Sequence, residues 1–190
     1  MSAANQSKSV PNKVLVTGAS GLLGVAAIEK FLSAGFKVVG VSRRKPELPS
    51  GRDVEFLAVD LRNEEVARAA FEPLTDITHI AYTALHEKPD LVAGWSSKEQ
   101  IETNNAMLRN VVEPIVRTAP NFQHISILQG TKVYGVHLHP IPIPAHVMPT
   151  RITRISSSTR KPMCGRWGPS MASIIRLYAH SLSPVRPPVR

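Results

Sequence analysis

The fold is decided by the stretch KVLVTGASGLLG, residues 13–24. Residues 13–17 form a short apolar run rich in β-branched side chains, which is typical of a strand buried inside a parallel sheet. Gly18, Gly21 and Gly24 follow where a helical pattern begins, and glycines there permit a tight turn, close approach of a phosphate and close packing of helix on strand. The stretch therefore predicts a strand-turn-helix unit whose turn can receive a dinucleotide pyrophosphate.

The alternation of strand and helix patterns continues beyond this turn. Four further apolar runs predict strands, at 37–42, 54–59, 77–82 and 122–128. Helices are predicted at 22–34, closed by Gly35, from the cap Asn63 with Glu64 and Glu65, and from the capping box Ser96-x-x-Glu99 to about Thr118. Five strands joined by helical crossovers predict an α/β fold, a doubly wound parallel sheet of the Rossmann type with its ligand at the carboxyl ends of the strands.

The net charge of +9 lies almost wholly at the carboxyl-terminal end. Residues 146–190 hold eight of the 23 basic residues and none of the 14 acidic ones, so residues 1–145 carry a net charge of only +1. The same segment contains six prolines and three consecutive serines without a sustained period. We therefore expect a flexible N terminus at 1–12, an incomplete Rossmann domain at 13–145 and a basic, disordered or non-native tail at 146–190.

Composition disfavours several classes of protein. No apolar run approaches the roughly 18 residues of a membrane span and the polar start lacks a signal-peptide core, so we expect a cytoplasmic protein without a membrane partner. A lone Cys164 excludes an internal disulfide framework, and His137-x-His139 has no evident third ligand, so no metal site is predicted. Because the domain is nearly neutral, no nucleic-acid partner is predicted either. The oligomeric state stays open.

Two arginines at the end of the second strand indicate which dinucleotide binds. A protein of this fold that binds NAD places an acidic residue there for the ribose 2′-hydroxyl, whereas this chain has Arg43 and Arg44. Paired guanidinium groups can bind a 2′-phosphate, which favours NADP(H) as the cofactor. The alternative is that both arginines only solvate the loop before Pro46.

Further cofactor contacts are predicted at the glycine turn and at the end of the third strand. The turn contributes Gly18, Ser20, Gly21, Leu22, Leu23 and Gly24. It could also be a glycine-rich turn without a ligand. Asp60-Leu61 would lie near the adenine, although Asp60 could equally be an ordinary strand-end residue.

Five motifs together resemble the progesterone 5β-reductase/iridoid synthase-like branch of the extended short-chain dehydrogenase/reductases. They are Thr17 to Gly24, Asp60-Leu61, Thr78-His79-Ile80-Ala81-Tyr82, Asn104-x-x-Met107-Leu108-x-Asn110, and Gln129-Gly130-Thr131-Lys132-x-Tyr134. The similarity covers about residues 13–145, and the later motifs distinguish this branch from ordinary epimerases. We expect a bacterial-type member that is truncated or frameshifted at its carboxyl end.

The resemblance implies a reductase that passes a hydride from NADPH to the carbon–carbon double bond of an enone, so its substrate is a small carbonyl compound. Lys132 is implied as the cation that stabilises the developing enolate. Gln129 is implied beside the nicotinamide, and Thr83 and Ala84 on the ribose side. The alternative for Lys132 is an ordinary loop ammonium.

The chain departs from the family pattern in its tyrosine. Leu138 stands four residues after Tyr134, where the usual Tyr-x-x-x-Lys motif of short-chain dehydrogenases has lysine. The branch takes its tyrosine from a later segment, and no residue here matches it, so a general-acid contribution of roughly 10²- to 10⁴-fold is in question. We therefore expect cofactor binding with little or no turnover. A non-catalytic NADP-binding or sensing module and an NAD(P)-dependent epimerase/dehydratase-like protein stay open as alternatives.

The tail suggests a shift of reading frame. We hypothesise that residues after about Ala145 are translated out of frame, because joining the last base of each codon to the first two of the next restores family-like sequence. Across Arg151 to Lys161 the permitted codons include those for Asp-His-Ala-Asn-Phe-Phe-Phe-Asp-Gln-Glu. Three steps are independent of codon choice: Met163-Cys164 must yield valine, and Trp167-Gly168 and Met171-Ala172 must each yield glycine. The alternative is a natural basic tail.

The hypothesis predicts a one-base insertion or deletion in the gene. Sequencing the gene around codons 140–150 is the measurement. An uninterrupted open frame with no plausible one-base shift would contradict the hypothesis.

Overall fold

The computed structural model describes residues 11–87, 97–128 and 140. These residues divide into two compact units: the first holds 11–86 and 106–128, and the second holds 87, 97–105 and 140. Most of the predicted N-terminal segment and all of the predicted tail therefore lie outside the described residues.

Five parallel strands and three helices make up the described part of the chain. The strands are β1 (Lys13–Thr17), β2 (Lys37–Ser42), β3 (Glu55–Ala58), β4 (His79–Tyr82) and β5 (His124–Ile127). The helices are α1 (Leu22–Ser33), α2 (Glu64–Phe71) and α3 (Lys98–Thr118). The strands pair in the order β3-β2-β1-β4-β5, and every pairing is parallel. The predicted doubly wound sheet is confirmed.

Three strands are shorter than the apolar runs that predicted them. Those runs also include buried residues that lie beyond the hydrogen-bonded strand pairs. Val59 follows β3, is 4% exposed and donates its N–H to the Ser42 carbonyl at 3.2 Å. Ile77 precedes β4 and Phe122 precedes β5, and they are 0% and 3% exposed. Buried apolar side chains thus extend beyond the hydrogen-bonded ladder at the carboxyl end of one strand and at the amino ends of two others.

One face of the sheet is covered by α1. Buried side chains from β1 and β4 form a cluster with Ile28 of this helix, and the fully buried members are Val14, Val16, Ala19 and Ile28. Phe31 and Leu32, at the end of the helix, pack against the same cluster. Gly35 then ends the helix with φ +80°, as the sequence predicted for the residue that closes it.

The close fit of α1 depends on Gly24 in its first turn. A Cβ built on Gly24 would overlap the carbonyl group of Gly18, and it would lie 2.9 Å from Ala19 Cα. All of these atoms belong to the backbone, so no side chain can move aside to make room. Gly24 therefore lets the helix start directly against the turn that follows β1.

The alternating side chains of the strands face α2 and α3 on the other side of the sheet. Leu15 and Ile80 are at most 1% exposed, and Phe71, Leu108 and Ile115 on the two helices are fully buried. Two further contacts fix the first-unit part of α3. Asn110 Nδ2 donates to the Leu61 carbonyl at 2.9 Å, and Arg117 pairs with Glu72 at the end of α2.

The start of α2 is as predicted, and α3 begins at Lys98. Asn63 Oδ1 accepts the N–H of Val66 at 3.1 Å, which caps α2. For α3 the hydroxyl of Ser97 accepts the N–H of Gln100 at 3.4 Å. Ser96, the first residue of the predicted box Ser96-x-x-Glu99, lies outside the described residues. Two successive serines are each followed three residues later by Glu or Gln, so the sequence pattern fits both registers.

Lys13 ties together the amino ends of the strands, far from the glycine turn. Its Nζ lies 3.0 Å from Glu55 and 3.1 Å from Asp76, and its side chain is 12% exposed. Burial lowers the pKa of Lys13, but hydrogen bonds and charges from the two carboxylates outweigh it and raise that pKa above its ordinary value. The lysine stays charged in the folded state and links the start of β1 to Glu55 at the start of β3 and to Asp76 just before β4.

In the second unit the described residues form the opening turns of α3. Lys98 pairs with Glu102 one turn later at 3.6 Å. Asn104 is fully buried and donates from Nδ2 to the Gln100 carbonyl at 2.9 Å. None of the helices in the described part of the chain is both long and apolar enough to cross a membrane.

The role of Gly24 is testable by Gly24→Ala. In an open helix this change would stabilise by about 1 kcal/mol, because alanine is the better helix former. Here the overlap with backbone atoms should reverse the sign, and we expect a loss of about 1–3 kcal/mol in unfolding free energy. Chemical denaturation of the purified chain measures it. Ala26→Gly, at an exposed position of the same helix, is the control and should cost about 1 kcal/mol. A Gly24→Ala variant more stable than the wild type would contradict the close fit.

Candidate functional site

A cleft of about 310 Å³ lies at the carboxyl ends of the first four strands. Each of these strands is followed by a segment that lines the cleft, and these segments are Gly18 to Gly21, Ser42 to Arg44, Val59 to Arg62 and Thr83 to His86. Because the strand order reverses between β1 and β4, this is the switch point at which doubly wound sheets bind ligands. The cleft therefore lies at the carboxyl ends of the strands, where the sequence predicts a ligand.

The floor of the cleft is the turn after β1. Gly18 adopts φ +69°, and a Cβ there would lie 2.9 Å from both Thr83 Oγ1 and the Ala84 nitrogen. Thr83 donates its hydroxyl to the Thr17 carbonyl at 2.6 Å, which holds the segment after β4 against the turn. Gly18 therefore allows two neighbouring strand ends to approach each other closely.

The amino end of α1 opens into this turn. Gly21 caps the helix, and no described side chain makes a capping hydrogen bond to its first turn. The next two residues, Leu22 and Leu23, are 87% and 56% exposed. The first backbone N–H groups of α1 thus remain available, together with the helix dipole, for an anion held over the turn.

The end of β2 carries two exposed cations. Arg43 and Arg44 line the cleft, and within 11–87, 97–128 and 140 neither guanidinium forms an ion pair. The backbone beneath them is held by Ser42, whose hydroxyl donates to the Arg44 carbonyl at 2.6 Å. Two free guanidinium groups on a fixed turn give this end of the cleft a positive potential.

The end of β3 carries a charged pair. Asp60 accepts three side-chain hydrogen bonds from Arg62: Nε lies 3.0 Å from Oδ1 and 3.2 Å from Oδ2, and Nη2 lies 2.6 Å from Oδ2. The backbone N–H of Arg62 also donates to Oδ1, at 3.1 Å. The hydrogen bonds from Arg62, helped by the charge of Arg43, lower the pKa of Asp60 to about 2.

Most of the predicted cofactor residues that the structure describes line the cleft. These are Gly18, Ser20, Gly21, Arg43, Arg44, Asp60, Leu61, Thr83 and Ala84. Leu22, Leu23 and Gly24 do not line it, since the two leucines point to solvent and Gly24 is buried under the turn. Gln129 and Lys132 lie outside the described residues, as do His137, His139, Tyr134 and Leu138.

Sequence reasoning missed several lining residues. Arg62 and Ser42 are the polar ones of greatest interest, and Leu85, His86 and Met107 also line the cleft. Met107 is 7% exposed and also lines the cleft. A signal for Arg62 existed in the spacing Asp60-x-Arg62 directly after a strand, where an Asp side chain can turn the backbone back onto itself.

Two of the curated relatives that match this chain are about 30% identical to it. The chain is 31% identical over 134 residues to the 3-oxo-Delta(4,5)-steroid 5-beta-reductase of Arabidopsis thaliana, a match that covers 67% of this chain and 33% of that protein. It is 32% identical over 132 residues to the (S)-8-oxocitronellyl enol synthase CYC1 of Camptotheca acuminata, with 66% and 31% covered. The chain thus spans about a third of the length of these curated relatives.

Solved structures share the fold. The Bordetella bronchiseptica enzyme WbmH in complex with NAD+ matches with a TM-score of 0.53 at 23% identity, covering 70% of this chain and 43% of that one. The UDP-glucose 4-epimerase of Bifidobacterium longum in complex with NAD+ and UDP matches with a TM-score of 0.52 at 21% identity, covering 65% and 38%. At these identities the likeness concerns the fold alone.

The sequence of the sheet and its turns also matches a family model. The matched residues are 14–151, which include the glycine turn, all of the strands except the first residue of β1, and every described residue that lines the cleft. The match covers more than half of the chain. The chain therefore belongs to the NAD dependent epimerase/dehydratase family.

Proposed function

We propose that this chain binds NADP(H) in the cleft and is the cofactor-binding part of an enone reductase. The observation that carries the proposal is the pairing of a glycine turn at one end of the cleft with two free arginines at the other. NADP(H) has anionic groups at two places, the pyrophosphate and the 2′-phosphate of the adenosine ribose. A single cleft that attracts anions at both places suits NADP(H).

The residues fit the cofactor on structural grounds. Cβ atoms at Gly18 and Gly24 would meet backbone atoms, so only glycine allows this close packing of the turn. The absence of side chains at these positions leaves space over the turn for a pyrophosphate. The first N–H groups of α1 would bind that pyrophosphate. Arg43 and Arg44 would bind the 2′-phosphate through charged hydrogen bonds, and the Asp60-Leu61 segment would border the adenine.

The extra phosphate distinguishes this proposal from NAD binding. Solved structures of similar fold are described in complex with NAD, and an acidic residue at the end of β2 is the usual partner of the NAD ribose. In this chain β2 ends in Ser42 and the two arginines, with no acid among them. A carboxylate there would repel the 2′-phosphate, and the arginines attract it instead.

The chemistry of the proposed reductase follows from the resemblance to 5β-reductases and iridoid synthases. When bound, NADPH supplies a hydride to an electron-poor carbon. In this proposal the residues of the cleft bind and orient the cofactor. The ammonium group of Lys132 stabilises the negative charge that develops on the substrate oxygen as the enolate forms. The names of the relatives, a steroid 5-beta-reductase and an enol synthase, support a small carbonyl substrate.

A non-catalytic NADP-binding module is the second candidate. It is favoured by the lack of a residue in this sequence that matches the tyrosine of the reductase branch. Binding of the cofactor is common to both candidates, and reduction of a substrate belongs only to the first.

The cofactor proposal predicts the effect of Arg43→Gln with Arg44→Gln. Loss of two charged hydrogen bonds to the 2′-phosphate should raise the dissociation constant of NADPH by roughly 30- to 100-fold. The dissociation constant of NADH should change by less than about threefold, because NADH lacks the phosphate. Fluorescence titration of each cofactor measures both. Lys45→Gln is the matched control, since Lys45 is the next cation and pairs with Asp53 at 3.0 Å outside the cleft. Equal weakening of NADH and NADPH would contradict the assignment.

The reductase proposal predicts a separate effect of Lys132→Met. We expect NADPH binding to persist in this variant, and any NADPH consumption with a small enone to fall by at least about tenfold, because the enolate loses its cation. Absorbance at the reduced nicotinamide band follows consumption. A wild-type chain that binds NADPH and consumes none with an enone would favour the binding module instead.

A further inference from the structure

The cleft contains one acidic side chain close to its cluster of cations. Asp60 lines the cleft together with Arg43, Arg44 and Arg62. Arg43, directly after β2, and Asp60 both line the cleft, and the charge of Arg43 helps to lower the pKa of Asp60. A 2′-phosphate held by the arginines of β2 would therefore lie within the field of Asp60.

A short local turn brings Arg62 into hydrogen-bonding contact with the Asp60 carboxylate. Its backbone N–H and two side-chain nitrogens all donate to Asp60, so the pair has a fixed, two-pronged geometry. The side chains of Arg62 and Asp60 are 46% and 37% exposed. An exposed ion pair of this kind contributes little to the stability of a fold. Its main effect is therefore on the net charge of the cleft.

Charge counting shows what the pair does for an anionic ligand. The four side chains carry a formal charge of +2 together, and removal of Arg62 alone would lower it to +1 with a bare carboxylate facing the phosphate. NAD(H) lacks that phosphate, so its binding is much less sensitive to this change.

We propose that Arg62 is a specificity-determining residue of the cleft: by pairing with Asp60 it cancels the charge of that carboxylate and so permits the additional phosphate of NADP(H). The inference rests on the proposed binding of NADP(H). It assigns to Arg62 a positioning and shielding role through Asp60, distinct from the direct binding by Arg43 and Arg44.

The test is a double-mutant cycle on the full 190-residue chain, read as the ratio of the dissociation constants of NAD+ and NADP+. Arg62→Gln should lower this preference for NADP+ by roughly fivefold, which is a modest charge effect at a partly exposed site. Asp60→Asn should raise it. The double variant has the same formal charge as the wild type and should restore its ratio. Any contact of Asp60 with the adenine affects both cofactors and cancels in the ratio.

Three further measurements separate shielding from other roles. Arg62→Lys keeps the charge and loses the fork, so the ratio should stay near that of the wild type. The effect of Arg62→Gln should shrink at high salt, because exposed charges are screened. Arg109→Gln is the matched control: Arg109 pairs with Glu113 at 3.0 Å on α3, outside the cleft lining, and the ratio should not move.

Two results would overturn the inference while leaving the proposed function intact. One is an unchanged ratio in Arg62→Gln although the wild type prefers NADP+. The other is a double variant with no restoration, which would mean that Arg62 acts by itself and not through Asp60. If the wild-type chain binds neither cofactor, or shows no preference for NADP+, the proposed function fails and the inference falls with it.

Discussion

The close approach of α1 to the turn after β1 is the constraint on which the rest of the structure depends. Gly24 sits against the backbone of Gly18, and Gly18 in turn sits against the segment that follows β4. With Cβ atoms at these two places, the helix would have to move away from the sheet and the ends of β1 and β4 would separate. The cluster around Val14 and Ile28 fills the space that this approach creates. Packing and the floor of the cleft are thus set by the same contacts.

The sequence predicted the architecture well where local chemistry and burial agree. Both β1 and β2 have the predicted bounds, and Asn63 caps α2 as expected. Predicted strands that were too long include residues such as Ile77, which is buried outside the ladder. Apolar pattern reports burial, whereas strand ends are set by which backbone groups find partners. The register of the α3 cap was ambiguous for a related reason, because adjacent serines satisfy the same local rule.

The sequence predicted the position of the cleft and the glycine and arginine residues that line it, but not Arg62. Glycine spacing and charge at the end of β2 are local signals. The role of Arg62 depends on a turn that brings its side chain back onto Asp60, and a pattern of two residues is too short to specify that turn. Met107 illustrates a second reason. It belongs to a helix that follows the four lining segments in the sequence, so only the assembled fold brings it to the cleft.

The described lining of the cleft comes almost entirely from one contiguous stretch of chain. Among the residues that the structure describes, all lining residues except Met107 lie between Gly18 and His86. The geometry of this lining follows from the turns after β1 to β4, and thus from the packing of α1 and from the strand ladder. Under the proposed function Lys132 acts on the substrate and not on the dinucleotide, so we expect a change at Lys132 to alter turnover more than cofactor binding. A change at Gly18 or Gly24 would alter both, since no chemistry proceeds without a held cofactor.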